Sequence, residues 1–182
     1  MDKFSQIDLR NEFDYLQNEF SISILLIRQQ NLTRCKCYNQ LTDCGSAKCK
    51  ICGGSGRVNS IELQHPIIQT LSIDDSVTLT KIGMVSVGTP VFYFNYKVQP
   101  QERDLILVVG FDKHNIPVDI KSLYVITSVE ELRADKGRVE YFRVYSKLAP
   151  ERIINTQKRL NAIPLKSKRA IMKGRIFKWP SC

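Results

Sequence analysis

A crowded cysteine segment constrains this chain more than any other feature of its sequence. The segment at residues 34–58 reads RCKCYNQLTDCGSAKCKICGGSGRV and holds five of the six cysteines. Two close pairs stand out, Cys35 with Cys37 and Cys49 with Cys52, and eleven residues separate them. A closed structural zinc site takes four tetrahedral ligands, and each pair can supply two thiolates from one tight turn. The spacing therefore predicts structural Zn²⁺ held by these four cysteines.

The remaining cysteine of the segment leaves one ligand position open. Cys44 lies in the middle of the loop, in TDCGS, where a turn is expected, and it can replace Cys35 or Cys37 as a ligand. A redox dithiol is the rival interpretation of the cluster. Such a site commonly places one pair beside a βαβ unit, and the sequence has no βαβ pattern. Zinc is therefore favoured, with the first pair of ligands less firmly assigned than the second.

Composition and the chain start favour metal binding over disulfides. The chain has 182 residues, of which 43% are hydrophobic, and this is enough for a core that needs no covalent staples. The start MDKFSQ lacks the apolar segment of a secretory signal. The longest apolar run, residues 24–27, is too short to span a bilayer. We therefore expect a chain that assembles in a cytosol, with reduced thiols and no membrane partner.

Short strands dominate the pattern from residue 72 to residue 148. The apolar and β-branched runs are VTLTKIGMVSV, VFYFNYKV, DLILVVGF, SLYVITSVEEL and RVEYFRVYSKL. Turn signals separate them, with no helical segment between. The pattern predicts a mainly β fold, a small antiparallel β-barrel or sandwich. The predicted organisation is an N-terminal helix and first strand in 1–30, the zinc-binding loop in 31–58, the β-barrel in 59–149 and a basic C-terminal arm in 150–182.

The C-terminal segment carries almost all of the net charge. Residues 150–182 hold nine Lys or Arg and a single acidic residue, Glu151, so that they contribute +8 of the chain's +9. The stretch PERIINTQKRLNAI is compatible with a short helix after Pro150, although its periodicity is weak and Pro164 interrupts it. The remainder, LKSKRAIMKGRIFKW, is basic with scattered apolar residues. We therefore expect an extended arm that is poorly ordered alone and orders on an acidic partner, either a protein surface or nucleic acid.

Recognisable catalytic motifs are absent from the sequence. There is no serine-centred elbow, phosphate-binding loop or dinucleotide fingerprint. The two histidines, His65 before a proline and His114 in a predicted turn, stand in no catalytic pattern. The sequence therefore predicts a protein that is not an enzyme.

Two stretches of the chain resemble proteins of tailed bacteriophages. The stretch CKCYNQLTDCGSAKCKICGGSGRV is similar to a cysteine-loop motif of phage virion proteins, in which the position of Cys44 is part of a turn and not a ligand. Residues 104–148 resemble the small β-barrel of head-closure (stopper) proteins and of related neck or baseplate proteins. The chain departs from that pattern at Arg103, where a glycine before Asp104 is usual.

The resemblance implies a structural virion protein that assembles in the host cytoplasm and forms a ring in the phage neck, as a head–tail connector or stopper. The implied partners are further copies in a homo-oligomeric ring, neighbouring neck, portal and tail proteins, and genomic DNA in the channel. A baseplate structural protein is the alternative within this class. A cellular zinc-containing nucleic-acid-binding protein is the alternative from another class, in which the basic tail binds phosphates.

Overall fold

The computed structural model describes residues 8–42, 44–46, 48–49, 57–70, 90–134, 137–173 and 177–180. Within these ranges the chain is mainly β, as the sequence predicts. The helices are α1 (Leu9–Phe20), α2 (Ile153–Ala162) and α3 (Leu165–Met172). The strands are β1 (Ile24–Arg34), β2 (Arg57–Gln64), β3 (Ile67–Thr70), β4 (Pro90–Asn95), β5 (Leu105–Phe111), β6 (Pro117–Arg133), β7 (Val139–Leu148) and β8 (Phe177–Pro180). The predicted strand VTLTKIGMVSV lies outside the described residues.

The contacts divide the chain into two compact units. The first unit comprises Met1–Ile22, His65–Glu102 and Ile126–Lys147. The second comprises Ser23–Gln64, Arg103–Val125 and Leu148–Cys182. The long strand β6 contributes its first part to the second unit and its last part to the first. The predicted single barrel domain, residues 59–149, is thus shared between two units.

The second unit contains the cysteine segment and the C-terminal helices. Its strands follow the order β6-β5-β1-β2-β8, and each neighbouring pair is antiparallel. Ile27 in β1 stands between Ile61 of β2 and Leu105 of β5. Leu25 and Ile27 lie in one apolar cluster, while Ile24 and Leu26 on the other side of β1 are also fully buried. A strand that is apolar on both faces in this way forms the centre of a buried sheet.

Helices α2 and α3 are part of this second unit. Leu160, Ile163 and Ile171 are buried in the same cluster as Leu25 and Ile27. Polar contacts fix the helices further: the Gln157 side chain accepts a hydrogen bond from Ile120 N at 2.7 Å and donates one to Val118 O at 2.9 Å. Lys168 Nζ donates to Pro117 O at 3.3 Å. The start of β6 is therefore the polar anchor of both helices.

The first unit joins α1 to the strands β3-β4-β7-β6. Asp8 caps α1, because its carboxylate accepts a hydrogen bond from Arg10 N at 3.2 Å. Phe13 is buried and stacks on Tyr141 of β7 with ring centroids 5.1 Å apart. Arg10 donates to Val139 O at 2.6 Å. The predicted N-terminal helix is therefore present, and Phe13 is its one buried residue in the described range.

Two expectations of the fold were wrong. The described strands do not close into a barrel: β8 pairs only with β2 in the second unit, and β3 pairs with β4 and meets Ser21 in a single bridge in the first. Closure depends on pairing between strands that are distant in the sequence, which alternation of apolar residues does not encode. The C-terminal segment is not an extended arm as far as residue 172: the short helix predicted after Pro150 is present as α2, and the basic stretch after Pro164 also forms a helix, α3.

Arg103 stands at the position where the phage pattern usually has a glycine. Its backbone has φ 70°, a left-handed conformation that glycine adopts without strain and that costs other residues about 1–2 kcal/mol. The following residue, Asp104, is fully buried at the start of β5. The turn thus keeps the backbone shape that a glycine would favour, although an arginine occupies the position.

Candidate metal centre

The cysteine segment joins two strands that pair directly with each other. β1 and β2 are antiparallel, and their pairing shifts register between Arg28 and Thr33 and ends at the pair Arg34 and Arg57. The chain therefore leaves β1 and enters β2 at adjacent positions of the sheet. We call the described residues of 35–49 the hairpin tip.

Tight turns present the thiols of the hairpin tip. Cys35 follows β1 directly, and its carbonyl accepts a hydrogen bond from Tyr38 N at 3.0 Å, so that Cys35 and Cys37 share one turn. A second turn ends at Cys49, whose N–H donates to Ser46 O at 2.8 Å. Each turn directs its thiols to the same place, as a metal-binding knuckle requires.

Three of the four predicted ligands lie together. The Sγ atoms of Cys35, Cys37 and Cys49 all lie within 4.8 Å of one another. Cys35 Sγ and Cys49 Sγ are 3.8 Å apart, much farther than the about 2.05 Å of a disulfide. Two sulfurs bound to one zinc at about 2.3 Å each are separated by about 3.8 Å when the geometry is tetrahedral. The spacing thus fits thiols that share a metal ion better than a disulfide.

The fourth predicted ligand, Cys52, lies outside the described residues. The other candidate, Cys44, is exposed and does not belong to the group of three close thiols. Its backbone instead closes a small loop, in which Asn39 N donates to Cys44 O at 2.8 Å and the Asn39 side chain accepts from Leu41 N at 2.9 Å. In the described structure, Cys44 therefore belongs to a turn between the two knuckles.

Positively charged residues neighbour the thiols in the sequence. Lys36 and Lys48 are exposed next to the cysteines in the sequence. The Arg34 guanidinium lies over the Tyr38 ring at 4.9 Å from its centroid. Four thiolates around one Zn²⁺ carry a net charge of −2, and nearby cations offset it. The arrangement can hold a metal ion, while the cluster itself contains neither histidine nor carboxylate of the kind that catalytic zinc sites commonly use.

A buried ionic cluster fixes the base of the same hairpin, and the sequence analysis missed it. Arg28 of β1 contacts Asp104 at 3.2 Å and Glu62 of β2 at 3.3 Å. Asp104 also accepts a hydrogen bond from Gln29 N at 2.8 Å. Arg28 and Asp104 are both buried. A single arginine inside the apolar run ILLIRQQ was the available signal, because a buried charge needs a partner.

The sequence comparisons give no relatives for this chain. No family model matches it, and no curated protein matches it either. Among the described residues, none of the helices combines the length and the apolar character that a bilayer crossing requires. The functional argument therefore rests on the residues and their geometry.

Proposed function

We propose that this chain is a structural protein of a tailed-bacteriophage virion, a component of a ring in the neck between head and tail. The observation that carries the proposal is the thiol cluster at the hairpin tip. It joins three of the four cysteines that make the segment similar to the phage motif. The exposed Cys44 is consistent with that motif too, since its position there is a turn.

The metal in this proposal is structural Zn²⁺. Its ligands would be Cys35, Cys37, Cys49 and Cys52, a closed all-thiolate set that leaves no position for substrate. The ion would hold the two turns of the hairpin tip together, where the chain has little else to bury. The thiols form a small cluster of their own, separate from the main apolar core of the second unit. A rigid tip of this kind suits a contact between neighbouring subunits.

The first test is the metal content of the purified protein. We expect about one zinc per chain by elemental analysis, because four thiolates make one site. Cys37→Ser is expected to lower the zinc content, and the matched variant Cys44→Ser is expected to leave it unchanged. Zinc far below one per chain would contradict the structural site. If Cys44→Ser loses zinc while Cys35→Ser or Cys37→Ser retains it, Cys44 is a ligand in place of that other cysteine.

The second test concerns assembly. A neck component is expected to form a ring of identical subunits, which light scattering after gel filtration measures as a defined multiple of 20.9 kDa. In phage particles made without the protein, heads and tails are expected to form but not to join. Complete necks with defective baseplates would support the baseplate alternative. Normal infectious particles would contradict a virion role.

A further inference from the structure

The helix α3 presents a row of cations on one face. Lys166, Arg169 and Lys173, the last of these directly after the helix end, are exposed and follow the spacing i, i+3, i+7, which places them on one side of a helix. Lys168 and Ile171 are buried and lie on the opposite side. We call the three exposed residues the α3 cationic face.

This face has no acidic counterpart. From residue 152 to residue 173 the sequence contains neither Asp nor Glu. Among the described side chains, none of the three cations forms a salt bridge, and the described ion pair that is closest to them in the sequence joins Arg152 to Glu151 at 3.8 Å. Lys166 with Arg169 and Arg169 with Lys173 are like-charge neighbours, which destabilise a helix slightly. An anionic partner would remove this repulsion.

The face is held in place before any partner binds. Ile171 is completely buried, and Lys168 donates to Pro117 O at 3.3 Å. Burial lowers the pKa of Lys168. The Gln157 side chain of α2 holds the adjoining helix to β6. A partner therefore finds the cations already positioned, with little ordering cost.

We propose that the α3 cationic face binds the sugar–phosphate backbone of double-stranded DNA without reading base sequence. Over seven residues the face extends about 10 Å along the helix, and its successive cations stand about 4.5 and 6 Å apart along the axis, a spacing that suits a run of phosphates. Protein interfaces are depleted in lysine and enriched in aromatic residues. Helices α2 and α3 contain no aromatic residue, and this also argues against stacking on single-stranded bases.

This inference deepens the proposed function and rests on it for its setting, because a neck ring surrounds the path of the genome. The binding chemistry itself needs only the folded chain. Phosphate contacts release counterions, so that affinity falls with salt with a slope of about −0.9 for each phosphate neutralised.

The test is binding of the full-length protein to a short fluorescent DNA duplex, measured by anisotropy between about 50 and 200 mM salt. The face variant carries Lys166→Gln and Lys173→Gln. The control variant carries Lys97→Gln and Lys147→Gln, two exposed lysines of the first unit. We expect the magnitude of the slope of log K against log salt to be smaller by about 2 in the face variant than in the wild type, because each lost phosphate contact reduces it by about 1. The control variant is expected to keep the wild-type slope.

An equal decrease in the magnitude of the salt slope in both variants would overturn the proposal. Absence of duplex binding by the wild-type protein would overturn it too. Tighter binding to polyglutamate than to DNA would assign the face to an acidic protein surface instead. Circular dichroism of the face variant is expected to match that of the wild type. The proposed function can fail independently of this inference. If the protein is absent from phage particles and the face variant still loses DNA binding, the DNA-binding site is supported and the neck role is contradicted.

Discussion

The hairpin tip and the α2–α3 pair belong to the same unit, yet they are held by opposite means. The hairpin tip contributes three thiols that cluster apart from the main core. The α2–α3 pair contributes Leu160, Ile163 and Ile171 to that core. One region can be held by a metal ion that the chain must acquire, whereas the other depends on apolar burial that the chain supplies itself.

The difference also separates the chemical roles of the two regions. Thiols in the hairpin tip point towards one another and can be satisfied by one ion. The exposed cations of α3 point away from the core and lack acidic partners among the described residues. In the proposed site Cys52 would complete the first arrangement within one chain, whereas the second would need a partner. We therefore expect the thiol cluster to have a structural role and the α3 cationic face to bind a partner.

The largest effect is expected at the base of the hairpin, where the two regions meet the common core. Asp104→Ala is expected to lower the free energy of unfolding by about 3–5 kcal/mol, because it leaves the buried Arg28 without its closest carboxylate. Glu130→Ala is the control. Its partner Arg143 lies 3.4 Å away in a partly exposed pair, for which about 0–1 kcal/mol is expected. Urea denaturation measures both, and equal losses would contradict a structural role for the ionic cluster.

The next effect tests whether the C-terminal segment belongs to the core. Leu160→Ala is expected to cost about 2–5 kcal/mol, since Leu160 is completely buried. Ile154→Ala lies in the same helix at a side chain that is 67% exposed, and about 0.5 kcal/mol or less is expected there. The same urea denaturation compares them. A small loss in the free energy of unfolding for Leu160→Ala would support the extended arm that the sequence alone predicted.

The sequence was a good guide to the hairpin tip for a local reason. Metal ligands from two short turns need only the spacing within each pair and a loop between the pairs, and both can be read from eighteen residues. Strands β4, β5 and β7 were equally visible, because their segments are rich in apolar, β-branched and aromatic residues. The mainly β class followed from these local patterns.

The sequence was a poor guide to the α2–α3 pair because its stability is not local. Nine cations and Pro164 suggested an arm that orders only on a partner. Among the described residues of the pair, Leu160, Ile163 and Ile171 are buried in the core and Ile153 packs against it. The surface that they cover comes from β1, β2, β5 and β6, more than forty residues away in the chain for most contacts. The i, i+3, i+7 spacing of Lys166, Arg169 and Lys173 was the available signal for a helix with an exposed charged face. The sequence did not show that the sheet is open for the same reason, because pairing between strands that are distant in the chain decides which strands lie at the edges.

A smaller effect is expected from the charges on α3. In the absence of DNA, the face variant with Lys166→Gln and Lys173→Gln is expected to raise the free energy of unfolding by about 0.4–1 kcal/mol at low salt. It removes two like-charge neighbour pairs, each of which costs about 0.2–0.5 kcal/mol. At about 1 M salt the gain is expected to vanish, because the Debye length falls to about 3 Å. A gain that persists at high salt would assign the effect to helix propensity instead of repulsion.

The smallest effect on the body of the protein is expected from Cys49→Ser. The thiols form a cluster separate from the main core, and so the loss of the metal should release the hairpin tip and leave the second unit folded. Hydrogen exchange is expected to show faster exchange at Tyr38 N, inside the first knuckle, and unchanged protection at Leu107 in β5. The urea midpoint of unfolding is expected to stay at the wild-type value, because the main core contains none of the thiols. Global unfolding on chelation would show instead that the metal supports the whole unit, and the two regions would then depend on one another.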